Sequence, residues 1–213
     1  MYTIIEMYSE IIEREEVQKM DCAKVGELIR SLRLENNLTQ KQLADAMNIS
    51  DKTVSKWERG LGCPDVSLLP ELSLLLKVNI EKILKGHLDP NELVGGNMRK
   101  VQFYVCPECG NMMTSTGSAE LSCCGRKLEA LEAKKIEEAH ALQIETIEDE
   151  WYIETTHEMM KSHYISFIAF VTGEKLYIVK QYPEWGIHLR LPKMGHGKLY
   201  HYCIEHGLFY QII

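Results

Sequence analysis

No apolar run in this 213-residue chain approaches the ~20 residues that a bilayer-spanning helix needs. The N-terminus lacks the basic stretch of a secretory signal: Met1-Tyr2-Thr3-Ile4-Ile5-Glu6 soon gives way to Glu13, Glu15 and Glu16. Internal repeats and low-complexity tracts are missing as well. With 45% hydrophobic and 26% charged residues, the composition excludes a disordered or collagen-like protein. Nor is there an excess of positive charge, since 24 Lys and Arg face 31 Asp and Glu for a formal charge of -7. These absences lead to the expectation of a cytoplasmic protein with no membrane partner. The length allows one or two domains, or three if some are very small.

The acidic total would discourage a nucleic-acid partner if it were uniform, but it is not. Residues 21–86 hold 10 Lys and Arg against 9 Asp and Glu, whereas residues 87–213 hold 12 against 17. A local DNA contact therefore stays open in the first part of the chain. Seven cysteines, an odd number, fit a simple disulfide framework poorly, and a cytoplasmic address makes disulfides rarer still. Four of them crowd between positions 106 and 124, which points to metal.

The chain changes texture twice. Residues 1–20 carry a helical stripe (Ile4, Ile5, Tyr8, Ile11, Ile12, Val17) opposite several glutamates, read as an amphipathic helix or a leader, with Met20 as an alternative start. From 21 to 86 the pattern is one of short helices. Leu28, Ile29, Leu32 and Leu34 form a stripe that stops at Asn36-Asn37. Thr39 caps a second helix and Ser50 a third, and Gly60 and Gly62-Cys63-Pro64 end it. Residues 87–101, with Asp89-Pro90-Asn91 and Gly95-Gly96, read as a linker. Beyond it the texture is β. Ile165, Phe167, Ala169 and Val171 alternate into a Gly173-Glu174 turn and a second strand, and 199–213 is again strand-like. The charged piece Arg126 to Glu138 is expected to connect these regions as a helix.

Leu38-Thr39-Gln40-Lys41-Gln42-Leu43-Ala44 and Ser50-Asp51-Lys52-Thr53-Val54-Ser55-Lys56-Trp57-Glu58-Arg59-Gly60 are two capped helices joined by a short turn, the spacing of a helix-turn-helix. Positions 51, 52 and 56 share one face near the start of the second helix, where lysine reaches guanine or phosphate and aspartate accepts from cytosine. The segment resembles the repressor/Cro-like (XRE-type) helix-turn-helix family over about Ala23 to Gly86. That resemblance implies phosphate contacts from Gln40 and Ser50, and base-edge contacts from Asp51, Lys52 and Lys56 with Thr53 beside them. It also implies a structural Arg33–Glu58 ion pair and a core of Leu43, Val54 and Trp57. A protein-interaction bundle without DNA is the competing reading.

Cys106-Pro107-Glu108-Cys109 and Cys123-Cys124 supply four thiolates within nineteen residues, a soft tetrahedral set suited to iron or zinc. A redox disulfide pair is the bland alternative. Adjacent cysteines are unusual for a zinc ribbon, and "CPECGNM…LSCCGRKL" resembles desulforedoxin and the N-terminal module of desulfoferrodoxin, with one iron on four sulfurs. Further on come Glu138-Ala139-His140, His157-Glu158-Met159 to His163-Tyr164-Ile165, and Tyr202-Cys203 to His206-Gly207-Leu208-Phe209. Singly, any of these histidines is more often an ordinary satisfied or surface residue than a ligand. Together, from about Tyr104 to Gln211, they resemble desulfoferrodoxin, the two-iron superoxide reductase.

The resemblance implies a second non-haem iron held by His140, His157, His163 and His206, with Cys203 as axial thiolate and Glu138 as a carboxylate able to cap the iron. It implies one-electron reduction of superoxide to hydrogen peroxide, an electron donor such as rubredoxin, and two irons per chain, with zinc as the alternative in the four-cysteine site. Where the family has lysine before its first ligand histidine this chain has Ala139, and "HPM" is His157-Glu158-Met159. His87, His188, His196 and His201 match no ligand position and are expected at the surface; Cys22 and Cys63 are expected to be ordinary thiols.

The sequence thus gives a multidomain α plus β protein. An all-α helix-turn-helix domain (21–86) precedes a small desulforedoxin/rubredoxin-like metal knot with four cysteines (102–130). An immunoglobulin-like β-sandwich carrying the four-histidine, one-cysteine iron site follows (131–213). The expected function is a superoxide reductase with a DNA-binding domain, and the alternative a redox- or iron-responsive regulator that uses the irons as sensors. A homodimer on a DNA operator follows from the two-fold logic of such operators and from the family's habit.

Overall fold

The computed structural model describes residues 20–91, 97–136 and 140–213. The amphipathic stripe of residues 1–19, and Glu138 and Ala139, lie outside the described residues. The chain divides into two compact units, Met1–Pro90 and Asn91–Ile213.

Among the described residues, the first unit is built from five short α-helices. Asp21 caps α1 (Cys22–Glu35), its carboxylate accepting from the amides of Ala23 and Lys24 at 3.0 and 3.3 Å. Val25, Leu28, Ile29 and Leu32 recur at helical spacing and are buried. Leu34, expected in the same stripe, lies off it and is 56% exposed. Asn36 closes the helix, and its side-chain amide donates to the Leu32 carbonyl at 2.8 Å. A capping box opens α2 (Gln40–Ala46): Thr39 Oγ1 accepts from the Gln42 amide and Gln42 Oε1 from the Thr39 amide. Ser50 caps α3 (Asp51–Glu58). A short 3-10 turn leads to α4 (Leu69–Leu76), followed by α5 (Ile80–Lys85), which Gly86 ends with φ 72°.

These helices enclose one core, in which Leu43, Val54, Trp57, Leu69, Leu72 and Ile83 join the α1 stripe. Helix α1 packs directly on α3, and Gly26 makes this approach feasible: a Cβ there would lie 1.9 Å from the Trp57 carbonyl oxygen. Cys22, at the start of α1, is disulfide-bonded to Cys63 in the turn after α3, with a Cα–Cα distance of 4.9 Å. This corrects the expectation of two ordinary thiols. The partners are 41 residues apart, and only the packing of α1 against the end of α3 brings them together.

The second unit begins with a 3-10 turn at Met98–Lys100 whose first amide donates to the Gly173 carbonyl. Residues 98–101 of the expected linker are therefore packed against the β-structure. Two hairpins follow, β1 (Gln102–Val105) with β2 (Met112–Ser115) and β3 (Leu121–Cys123) with β4 (Arg126–Leu128). The helix expected from Arg126 onward is not formed among the described residues 126–136. Residues 126–128 are β4, and β5 (Ala133–Lys135) pairs parallel to the last strand of the chain. The spacing of Leu128, Leu131 and Ile136 suits a helix face, but tertiary hydrogen bonds override it: the Leu131 amide donates to Phe103 and the Ile136 amide to Tyr210.

The remaining strands are β6 (Gln143–Ile147), β7 (Glu150–Glu154), β8 (Ile165–Val171), β9 (Leu176–Lys180), β10 (His188–Pro192), β11 (Lys198–Cys203) and β12 (Gly207–Ile212). They form a three-stranded sheet, β10-β7-β6, and a five-stranded sheet, β5-β12-β11-β8-β9. Ile153 and Leu191 of the first sheet meet Ile168, Phe170 and Leu199 of the second, so the two sheets face each other as an immunoglobulin-like sandwich. The other face of β8 is buried too, because Val101 and Phe103 cover Phe167, Ala169 and Val171. Where β8 meets β11 the register slips: Phe167 pairs with Tyr202, but the next partner of Cys203 is Ile165. This bulge leaves Ser166 without a partner on β11 and turns Ile165 inward beside Cys203.

Candidate metal centres and nucleic-acid interface

The four clustered cysteines come together at the tips of the two small hairpins. Each contributes a sulfur, and all four lie within 4.8 Å of one another. Cys109 and Cys123 are 3.6 Å apart. Adjacent residues in a strand point to opposite faces, so Cys123 and Cys124 would ordinarily diverge. Here Cys124 and Gly125 form the two-residue turn between β3 and β4 with φ 52° and 75°. The left-handed turn swings the second sulfur back beside the first. In the other loop the amides of Cys109 and Glu108 hydrogen-bond to the Cys106 sulfur and bring its pKa down to about 7. The Cys124 thiol is pushed up by hydrogen bonding to its neighbouring sulfurs, Cys109 first. Four thiols at this spacing resist ionising together, and a bound cation removes that resistance.

The second cluster lies at one end of the sandwich. One donor atom from each of His157, His163, Cys203 and His206 falls within 4.8 Å of the others. The His206 Nδ1 is 3.3 Å from His163 Nε2, 3.6 Å from Cys203 Sγ and 3.3 Å from His140 Nε2. All five sequence-expected ligands are thus gathered, with His140 joining through His206. The β11–β12 turn carries Cys203 and His206. His157 and His163 sit on the connection between β7 and β8, held by the reciprocal backbone hydrogen bonds of Met160 and His163. His157 Nδ1 is 2.5 Å from the Glu158 carbonyl oxygen, which fixes the ring and leaves Nε2 for the cluster. His163 Nδ1 faces Glu158 at 3.3 Å. Burial, followed by the neighbouring imidazoles, lowers the His157 pKa and keeps the ring neutral, as a ligand must be.

His201 corrects an expectation. It is fully buried rather than at the surface, with neither ring nitrogen hydrogen-bonded. Burial first, then electrostatic competition with the neighbouring imidazoles of His157 and His140, pushes its pKa down to about 4. Its ring stacks on Phe209, which stacks in turn on His140. The alternation of β11 carried the signal, since 199, 201 and 203 share the inward face.

In the first unit Asp51, Lys52 and Lys56 are exposed on α3 and Thr53 is half-exposed. The Ser50 hydroxyl is occupied as the N-cap of α3 and bonds Thr53 Oγ1 at 2.8 Å. The Gln40 side-chain amide donates to Glu58 at 2.7 Å and so supports the buried Arg33–Glu58 pair, whose atoms lie 2.5 and 3.0 Å apart. No helix among the described residues is long and apolar enough to cross a membrane.

The helix-turn-helix family profile matches residues 29–83. The HTH-type transcriptional activator BcrR of Enterococcus faecalis is 34% identical over 87 residues, 38% of this chain and 41% of that protein. The desulfoferrodoxin of Syntrophotalea carbinolica is 29% identical over 119 residues, 52% of this chain and 94% of that protein. The chain joins a helix-turn-helix domain to a desulfoferrodoxin-like unit. The superoxide reductase of Treponema pallidum is 16% identical with a TM-score of 0.47, covering 53% of this chain and 98% of that one. The chain thus spans less than half of the activator it matches, and nearly all of the desulfoferrodoxin. The desulfoferrodoxin-like unit holds both metal-competent clusters, and the helix-turn-helix unit presents the exposed face of α3.

Proposed function

We propose that the desulfoferrodoxin-like unit reduces superoxide by one electron to hydrogen peroxide at a non-haem iron held by His140, His157, His163, His206 and Cys203. The observation that carries this reading is the convergence of imidazole nitrogens and one buried thiol on a single point. His157 Nε2 is buried there without a hydrogen-bond partner, which suits a donor aimed at a cation. Four imidazoles with a thiolate suit iron, and the four-cysteine knot suits a second iron or zinc. When bound, an iron would supply a one-electron redox centre whose electron density the Cys203 thiolate would raise. The protein's part is to hold the His157 imidazole neutral, to bury the Cys203 sulfur at the sandwich end, and to orient His157 through its backbone contact. Glu138 is the carboxylate assigned to cap the iron.

The three-module division (21–86, 102–130 and 131–213), a rubredoxin-type electron donor, a homodimer and a cytoplasmic setting belong to the same proposal. So does binding of a DNA operator through Gln40, Ser50, Asp51, Lys52, Thr53 and Lys56. A second reading, a regulator that senses redox state or iron, is favoured by the exposed α3 face together with Ala139, which removes the family's cation beside the site. Anaerobic pulse radiolysis of the iron-loaded chain separates the two. Fast superoxide-dependent oxidation of the iron with hydrogen peroxide as product supports the reductase, and no turnover above the free-metal background overturns it.

A further inference from the structure

The metal clusters account for five of the seven cysteines, four in the knot and Cys203. The other two form the Cys22–Cys63 bond inside the DNA-reading unit. We propose that Cys22 and Cys63 are a reversible, peroxide-responsive thiol–disulfide site that fastens the start of α1 to the turn after α3.

Both residues are half-buried, so a small oxidant or dithiol can reach sulfurs that the core still holds in position. Cys22 is the first residue of a fourteen-residue helix, where the free amide ends favour a thiolate. Cys63 follows Gly62 in an irregular turn, with its Cα 4.9 Å from that of Cys22, within the span a disulfide requires. The chemistry balances with a peroxide as two-electron oxidant. The Cys22 thiolate attacks one peroxide oxygen, the O–O bond breaks, a sulfenic acid forms, and the leaving hydroxide takes up the proton that the Cys22 thiol released and becomes water. The Cys63 sulfur then displaces the hydroxyl, a second water leaves, and the S–S bond forms. A dithiol reverses this by exchange through a mixed disulfide.

The location gives the bond an effect. Gly26 already meets the Trp57 carbonyl, and Gly60, with φ 69°, sits against Ala23, where a Cβ would lie 2.9 Å from the Ala23 Cα. The bond therefore clamps α1 onto the end of α3, the helix that presents Lys52 and Lys56. Closing a 41-residue loop restrains the unfolded chain strongly.

The inference needs only added peroxide, and so stands apart from the reductase reading. The full chain, metals loaded, is reduced anaerobically with dithiothreitol, desalted and treated with a slight molar excess of hydrogen peroxide. Alkylation and peptide mass mapping then follow Cys22 and Cys63 separately from the metal cysteines. Both thiols should become unreactive together, yield a linked peptide 2 H lighter, and regain reactivity in dithiothreitol. Reduction should lower the helical unit's unfolding temperature by roughly 10 °C in the wild type. A Cys22→Ser/Cys63→Ser double variant should show no such difference. In Cys203→Ser the pair should close as before, so loss of the reductase leaves this outcome intact. Thiols that stay reactive after peroxide overturn the proposal. So does a bond that dithiothreitol cannot open in the folded chain, or an unfolding temperature indifferent to the bond.

Discussion

Cys203 is buried beside Ile165 at the end of β11, and its sulfur faces the imidazoles of His157, His163 and His206. Replacing Cys203 with serine should remove one of two thiolate-to-iron absorption bands and all superoxide reduction, while the Cys106/Cys109/Cys123/Cys124 centre keeps its own band. Reductase activity that survives this change would show that the thiolate is dispensable. Ala139 sits next to His140 in the sequence, where the family resemblance places a lysine. Ala139→Lys should raise the second-order rate with superoxide, and added salt should shrink the gain, since exposed charges are screened over ~10 Å at 0.1 M. An unchanged rate at low ionic strength would mean that another cation already attracts the anion. The Arg33–Glu58 pair is a structural counterpart, with side chains only 8% and 4% exposed. Burial opposes the Glu58 charge, but hydrogen bonds from Arg33 and Gln40, with the Arg33 charge, outweigh it and hold the pKa below its ordinary value. Unfolding therefore raises the affinity for a proton. The stabilisation is complete above the ordinary glutamate pKa of about 4.3 and is lost as pH falls through the lower folded value. Glu58→Gln should cost about 3–5 kcal/mol at pH 7, because it leaves Arg33 buried without its counter-charge, and should flatten the acid side of the stability profile. Denaturant titrations at pH 7 and at pH 3 read both effects.

The helices were legible from their ends. Thr39 and Ser50 stand where the caps are, and the α1 stripe predicts its buried face up to Leu32. The β8–β9 hairpin was equally readable, its alternation ending at the Gly173-Glu174 turn. Three features were hidden for physical reasons. The 126–138 segment has apolar spacing that serves a helix as well as two short strands, and the choice lies with Phe103 and Tyr210, remote in sequence. His201 looks like a surface residue until β11 is known to face inward at 199, 201 and 203. The Cys22–Cys63 bond depends on the α1–α3 contact, which leaves no local mark except Gly26. That glycine supplies a test: Gly26→Ala should place a methyl on the Trp57 carbonyl, force α1 and α3 apart and cost about 1–3 kcal/mol. Thermal unfolding followed by helical circular dichroism checks this, and an unchanged midpoint would mean that the contact is looser than the backbone positions indicate.

A chain that joins a helix-turn-helix unit to a unit with two metal-competent clusters invites coupling between them. A redox change can shift DNA affinity only by its differential interaction with the bound and free conformations. Lys52→Ala and Lys56→Ala should each weaken binding to the chain's own promoter and lower the salt dependence of binding by about one counterion if they contact phosphate. Superoxide reduction should be unaffected by either. Ferrous and ferric protein should differ several-fold in promoter affinity, about 1 kcal/mol of coupling. Titrations at fixed salt in both redox states check this. Equal affinities would leave a reductase whose DNA module serves location alone.

The short strand β5 has a consequence for the protein's behaviour in a crowded solution. It runs along β12, which would otherwise form the open margin of the five-stranded sheet, with a row of unsatisfied amides and carbonyls able to template another chain. Ala133, Lys134 and Lys135 occupy that margin, all three exposed, and their two ammonium groups repel a like strand approaching edge-on. The segment between the cysteine knot and β6 thus also covers the β12 margin of the sheet. Truncating the chain between the knot and β6 would remove the lysines that guard β12.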